Sequence, residues 1–232
     1  MSVLYLTPTL LAENTIQKVI PEHVIKVIHS LNQFIVEDVR TARRFLSKAK
    51  HPKQIENLLF RELNEHTSEN EITSLLQYLK ENNTGLLSDA GVPAVADPGA
   101  KIVKLAHENG ITVTPLVGPS SVLMALMASG LNGQSFAFLG YLPVKKNERQ
   151  KRLRMIEKRS EKENQTQIFI ETPYRNMQLI DDILKCCSPE TMLTIAADIT
   201  GVNEFILTKR IRQWKEELPD LNKIPTVFLL QA

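Results

Sequence analysis

Glycine is absent from this 232-residue chain until Gly85, and aromatic residues make up only 6%. No run of about 18 apolar residues occurs, so no membrane-spanning helix is expected. The opening segment MSVLYLTPTLLAEN carries no basic stretch, and Pro8 breaks its short apolar run, so no secretory signal is expected. Only two cysteines are present. Cys186 and Cys187 are adjacent and cannot form an ordinary framework disulfide. Two thiols without a signal segment fit a reducing cytoplasm. The five histidines are scattered and no Cys or His falls at ligand spacing, so no metal site is expected. The chain contains no G-x-G-x-x-G, no G-x-x-x-x-G-K-[ST] and no G-x-S-x-G. A standard dinucleotide site, a P-loop and a nucleophile elbow are therefore not expected. Neither sign of charge dominates: 28 basic against 26 acidic residues give +2. With 43% hydrophobic and 23% charged residues, a disordered chain, a collagen and a coiled-coil rod are excluded.

What is present is an alternation of short β-like runs and helical patterns. Val3–Leu6, Gln33–Val36, Gly85–Leu87 and Ile111–Leu116 read as strands. Between them, Thr15–Ser30, Arg40–Ala49, Ser68–Glu81 and Gly99–Asn109 show helical spacing. Ser120–Ser129 is apolar all round and is expected to be buried on every side, with Met124 and Met127 in the core. Further on, Ser135–Leu139, Gln167–Glu171, Met192–Ala197, Glu204–Thr208 and Thr226–Gln231 read as strands, and Lys145–Glu163 and Arg175–Cys187 as helices. Trp214, in a charged stretch, is expected at the edge of the core. The alternation predicts an α/β fold with largely parallel sheets, in two α/β subdomains divided at 116/117.

Eight of the nine glycines lie between Gly85 and Gly140. Glycine permits positive φ and close backbone approach, so this clustering points to tight turns around a bound molecule. In open α/β sheets ligands bind beyond the carboxyl ends of the strands. Five loops follow predicted strands there: Thr7-Pro8-Thr9, Glu37–Arg40, Ser88–Gly99, Gly118–Ser121 and Glu171–Arg175. The prolines and glycines of Ser88–Gly99 suggest a rigid wall lined by backbone, suited to a ligand such as an adenosine moiety.

These segments carry a resemblance. SDAGVPAVADPG at Ser88–Gly99, GPSS at Gly118–Ser121 and FLGYLP at Phe138–Pro143 resemble the ribosomal RNA small-subunit methyltransferase I family. Its superfamily is that of the tetrapyrrole methylases, class III S-adenosylmethionine (SAM) methyltransferases. Glu37-Asp38-x-Arg40, Asn64-Glu65-His66 and Glu171–Arg175 support the likeness, which runs to about residue 210. It implies a homodimer of two α/β subdomains, with SAM held in the cleft between them. Carried over residue by residue, it places Pro8, Asp89, Gly91, Val92, Pro93, Ala94, Pro119, Ser120, Thr172, Ala197 and Asp198 around SAM. Two departures bear on the acceptor. The family's first strand is usually followed by T-P-x-G-N-L, where this chain has Thr7-Pro8-Thr9-Leu10-Leu11, and the family commonly has a longer C-terminal extension.

The implied reaction is SAM-dependent 2′-O-ribose methylation of small-subunit ribosomal RNA in the cytoplasm. Glu37, Asp38 and Glu171 are the candidate catalytic carboxylates. Arg40, Arg43, Arg44, Lys151, Arg152 and Arg175 are candidate RNA contacts to phosphate. The last set draws on the stretch Lys145–Lys162, which holds nine basic and three acidic residues and leaves the remainder of the chain acidic. Such a run also suits a merely solvated helix. Two other readings stay open: methylation of a tetrapyrrole or other small molecule, and a non-catalytic RNA-binding module.

Overall fold

The computed structural model describes residues 2–232. The chain divides into two compact units, the first ending at Ser120 and the second comprising Ser121–Ala232.

The first unit is built on a five-stranded sheet of order β3-β2-β4-β1-β5. Its strands are β1 (Val3–Thr7), β2 (Gln33–Val36), β3 (Leu59–Glu62), β4 (Thr84–Leu87) and β5 (Thr112–Pro115). Every pairing in it is parallel. Side chains alternate across a strand, so neighbouring residues enter different cores. Phe34 and Val36 join a cluster with Val24, Ile28, Phe45 and Leu46, from α2 (Glu22–Ser30) and α3 (Val39–Lys48). Ile35 faces the other way, towards Ile72, Leu79 and Ile102 of α4 (Glu69–Glu81) and α5 (Gly99–Glu108). Helices therefore cover both faces, as a buried parallel sheet requires. The predicted helix over Thr15–Ser30 is interrupted. Pro21 cannot continue it, so a single turn, α1 (Ile16–Val19), precedes α2. Strand β3, an edge strand with mostly exposed residues, lacks an apolar pattern and escapes sequence reading.

The second unit corrects the expectation of parallel sheets. Its order is β6-β7-β10-β8-β9, from β6 (Phe136–Tyr141), β7 (Thr166–Ile170), β8 (Met192–Ala197), β9 (Phe205–Arg210) and β10 (Thr226–Gln231). Only β6 and β7 are parallel, joined through α7 (Lys146–Glu163). No helix separates β8 from β9, so they form an antiparallel pair, and β10 inserts antiparallel to both β7 and β8. The core lies between this sheet and α7, α8 (Asn176–Cys186) and α9 (Ile211–Trp214). Trp214 is not at the edge of that core but inside it: it is 1% exposed, and its indole N–H donates to the Leu193 carbonyl at 2.9 Å.

Helix α6 (Ser121–Ser129) packs on β9 and β10 but is not buried all round. Ala125, Leu126 and Ser129 face inward, while Leu123 is exposed and Met127 is 83% exposed. Uniform hydrophobicity conceals which face meets the sheet.

Candidate functional site

In the first unit all five strands run the same way, so the loops leaving their carboxyl ends share one edge of the sheet. Three of these loops lock together. The Thr9 amide donates to the Gly91 carbonyl at 2.8 Å, and the Thr9 hydroxyl to the Ser88 carbonyl at 3.2 Å. Ser88 Oγ donates to the Gly91 carbonyl at 3.2 Å. Gly91 has a φ of +75°, and a Cβ there would press on Leu11 and on the carbonyl of Pro119. At Gly118 a Cβ would overlap the Pro8 ring. Pro8, Gly91, Gly118 and Pro119 thus bring the loops after β1, β4 and β5 into contact, and only glycine tolerates the two closest approaches.

Asp97 sets the shape of the long loop. Its Oδ1 accepts the Gly99 amide at 2.6 Å and the Ala94 amide at 3.2 Å. Between these anchors Ala94 and Ala96 adopt positive φ, of 65° and 56°. A left-handed alanine costs energy, so the loop's internal bonds hold a strained backbone in one shape. Pro93 is buried, Val92 is half-buried and Asp89 is exposed.

Glu37 lies at the end of β2. Its carboxylate accepts the Asp89 amide at 3.3 Å, joining a fourth loop to the assembly. Burial pushes the Glu37 carboxyl above its ordinary range against that hydrogen bond, and the charges of Asp89, Asp97 and Glu65 push the same way. Asp89 and Asp97 are also raised, chiefly by burial. Asp38 has a different task. It is the N-cap of α3, accepting the Thr41 amide at 2.7 Å, and this bond lowers its pKa. Arg40, Arg43 and Arg44 are exposed on α3, with Arg43 lying 5.4 Å from the centre of the Phe60 ring.

The remaining candidates belong to the second unit. Glu171 follows β7 with its side chain fully buried. One carboxylate oxygen accepts the Thr172 amide at 2.7 Å and Arg175 at 3.0 and 2.6 Å. The other oxygen has no hydrogen-bond partner among the described residues. Asp198, after the buried Ala197 at the end of β8, has a φ of 46° and accepts the Asn203 amide at 2.9 Å.

On α7, Lys151 is exposed and Arg152 half-buried. Arg149, counted by sequence among the surface charges, is instead buried. Its guanidinium binds Asp182 of α8 at 2.8 and 2.6 Å and the Val144 carbonyl at 2.7 Å. Gln150 completes the arrangement by donating to the other Asp182 oxygen at 2.7 Å. Asp182 falls within the periodic pattern of α8, and an acidic residue on an inward-facing helical position was the available signal. Among the described residues, no group of three or more His, Cys, Asp or Glu is placed to hold a metal ion. No helix among them is long and apolar enough to cross a membrane.

Residues 18–214 match the family described as Tetrapyrrole (Corrin/Porphyrin) Methylases. The chain belongs to that family. Among its relatives, the protein named Ribosomal RNA small subunit methyltransferase I from Bacillus subtilis (strain 168) is 34% identical over 218 residues. That match covers 94% of this chain and 66% of the relative. The protein of the same name from Haemophilus influenzae is 32% identical over 174 residues, covering 73% of this chain and 60% of the relative. The one from Thermotoga maritima is 31% identical over 190 residues, covering 82% and 81%. The chain therefore spans less than two thirds of the length of the first two of these relatives. Among solved structures, the crystal structure of the methyltransferase CobJ has a TM-score of 0.63 at 15% identity, covering 100% of this chain and 93% of that one. This likeness shows the fold of the tetrapyrrole methylases and nothing finer.

Proposed function

We propose that this chain transfers the methyl group of S-adenosylmethionine to a ribose 2′-hydroxyl of small-subunit ribosomal RNA, in the cytoplasm and as a homodimer. The observation that carries the reading is the interlocked set of loops in the first unit, in a chain of this family whose relatives bear the name given above. A wall fixed by its own hydrogen bonds loses little freedom when a ligand arrives, which favours binding. Pro8, Asp89, Gly91, Val92, Pro93, Ala94, Pro119 and Ser120 are the donor contacts we assign to it. Thr172, Ala197 and Asp198 are those we assign to the second unit.

When bound, S-adenosylmethionine supplies a methyl group already activated on a sulfonium. The chain's share is then alignment and removal of a proton. Alignment is worth up to about 7–11 kcal/mol at the favourable limit. For the proton, the three candidate carboxylates differ in occupation. Asp38 is committed to capping α3, and Glu171 to Arg175 and the Thr172 amide. Glu37 accepts only the long bond from the Asp89 amide, and burial raises its carboxyl, which makes it the better proton acceptor, and we assign it that role. Arg40, Arg44, Lys151, Arg152 and Arg175 supply positive charge for an RNA backbone, and Arg43 does so beside Phe60. The exposed Leu123 and Met127 on α6 give the second unit an apolar stripe suited to a second copy.

Calorimetric titration with S-adenosylmethionine and S-adenosylhomocysteine, on the native chain and on Gly91→Arg, tests the donor site. Micromolar binding that the substitution abolishes is expected. Failure of the folded native protein to bind either ligand would end the reading.

A further inference from the structure

The loop after β1 carries two leucines, Leu10 and Leu11, neither of them fully buried. They form one wall of a cavity of about 210 Å³ that lies wholly within the first unit. Ala12 continues that wall, and the loop after β4 contributes Asp89 at its rim. Arg44 and Lys48, one turn apart on α3, also line the cavity. Arg44 is exposed and has no carboxylate within ion-pair distance among the described residues. Lys48 pairs with Glu13 at 3.6 Å, and Glu13 also lines the cavity but is itself mostly in solvent, so an incoming phosphate can take its place. Leu11 also rests against Gly91, so the cavity shares a side chain with the loops assigned to the donor.

Size and chemistry restrict the occupant. Drug-sized ligands use clefts of roughly 300–1,000 Å³. This cavity is smaller, of a size for one ring system. An apolar wall suits the face of a ring, and an unpaired guanidinium beside an ammonium suits a phosphate. We propose that the cavity is a single-nucleotide subsite for an RNA strand, with the ring against Leu10 and Leu11 and the phosphate between Arg44 and Lys48. The subsite rests on the RNA reading above and adds Lys48, Leu10 and Leu11 to it. The wall formed by this pair is apolar, so the subsite selects by the shape of the ring.

The test is fluorescence anisotropy of the full chain with a short labelled single-stranded RNA, over a series of salt concentrations. Arg44→Gln and Lys48→Gln, both at partly or fully exposed positions, are expected to weaken binding about tenfold, equivalent to about 1.4 kcal/mol. Each is also expected to reduce the slope of log affinity against log salt by about 0.7, the value for one single-strand phosphate contact. Ala12→Trp fills the cavity without changing charge. It is expected to weaken binding with the salt slope intact, which diffuse attraction to a basic surface would not produce.

RNA binding insensitive to all three substitutions overturns the subsite, as does absence of RNA binding by the native chain. Displacement of the strand by a free mononucleotide as readily as by unlabelled RNA also overturns it, because the cavity then serves a free nucleotide. Titration of S-adenosylmethionine into the same proteins separates the two readings. Arg44→Gln and Lys48→Gln leave donor binding unchanged if both hold. Loss of donor binding in the native chain, with the RNA results as expected, removes the donor reading and leaves the subsite.

Discussion

Gly118 and Gly91 show how a single hydrogen in place of a methyl group determines the site. Gly118→Ala places a Cβ into the Pro8 ring, so either the first or the last of the three interlocked loops must move. Overpacking of this kind costs about 1–3 kcal/mol. A lower melting temperature and weaker S-adenosylmethionine binding are expected together, read by thermal denaturation and calorimetry. Glu37→Gln keeps the shape and removes the proposed base. Turnover should fall by about 10²–10⁴, the usual contribution of general base catalysis, with donor affinity unchanged. Full turnover by this variant would remove Glu37 from the reaction.

The acidic group Glu37, Asp89 and Asp97 has a consequence for pH. All three carboxyls are raised in the folded chain above their ordinary values, 4.5 for Glu and 3.8 for Asp. In that window the folded state binds more protons than the unfolded state, so stability falls as pH rises through it. Their charged forms are a burden at neutral pH. Asp89→Asn is therefore expected to raise the melting temperature at neutral pH, and the difference should close as pH falls below the carboxylate range.

At the scale of elements, helix ends and helix pairs explain residues that chemistry alone would misassign. Asp38 has the sequence position of a catalytic carboxylate and the geometry of a cap. Asp38→Ala should cost about 1 kcal/mol of stability, while Asp38→Asn, an equally good cap, should cost only a few tenths. Denaturant melts of the two variants, set beside their turnover, separate capping from catalysis. Between α7 and α8 the buried Arg149–Asp182 pair ties the basic helix to the core. Removing one partner leaves an uncompensated buried charge, so Arg149→Met is expected to cost about 3–5 kcal/mol. Replacing both, with Asp182→Leu added, should recover much of that loss. The charge run of Lys145–Lys162 was plain in the sequence. That one of its arginines points inward was not, because a surface arginine and a buried one look alike until Asp182 is brought opposite.

At the scale of the whole molecule, the proposed homodimer is open to direct measurement. Sedimentation or light scattering should give twice the mass of one chain, and Met127→Asp, which puts a charge on the exposed stripe of α6, should reduce it to one. The same helix marks a limit of sequence reading. An apolar helix was expected to be enclosed, yet Met127 on its outward face is 83% exposed.

Much of the first unit was legible because its information is local. Strand runs, helix periods and the Gly- and Pro-rich loops each occupy a few consecutive residues, and parallel strands joined by helices leave little choice of topology. The motif Ser88–Gly99 stood out in the same way, and its loop is held by Asp97 and by contact with the loops after β1 and β5. What only the tertiary structure decided are facts about partners distant in sequence. The contact of Pro8 with Gly118, the insertion of β10 between β7 and β8, and the meeting of Arg149 with Asp182 each join segments separated by intervening elements. Local propensity gives a residue its conformation. Which distant residue it then meets is set by the packing of whole elements, where side-chain shape and burial, not sequence spacing, decide the outcome.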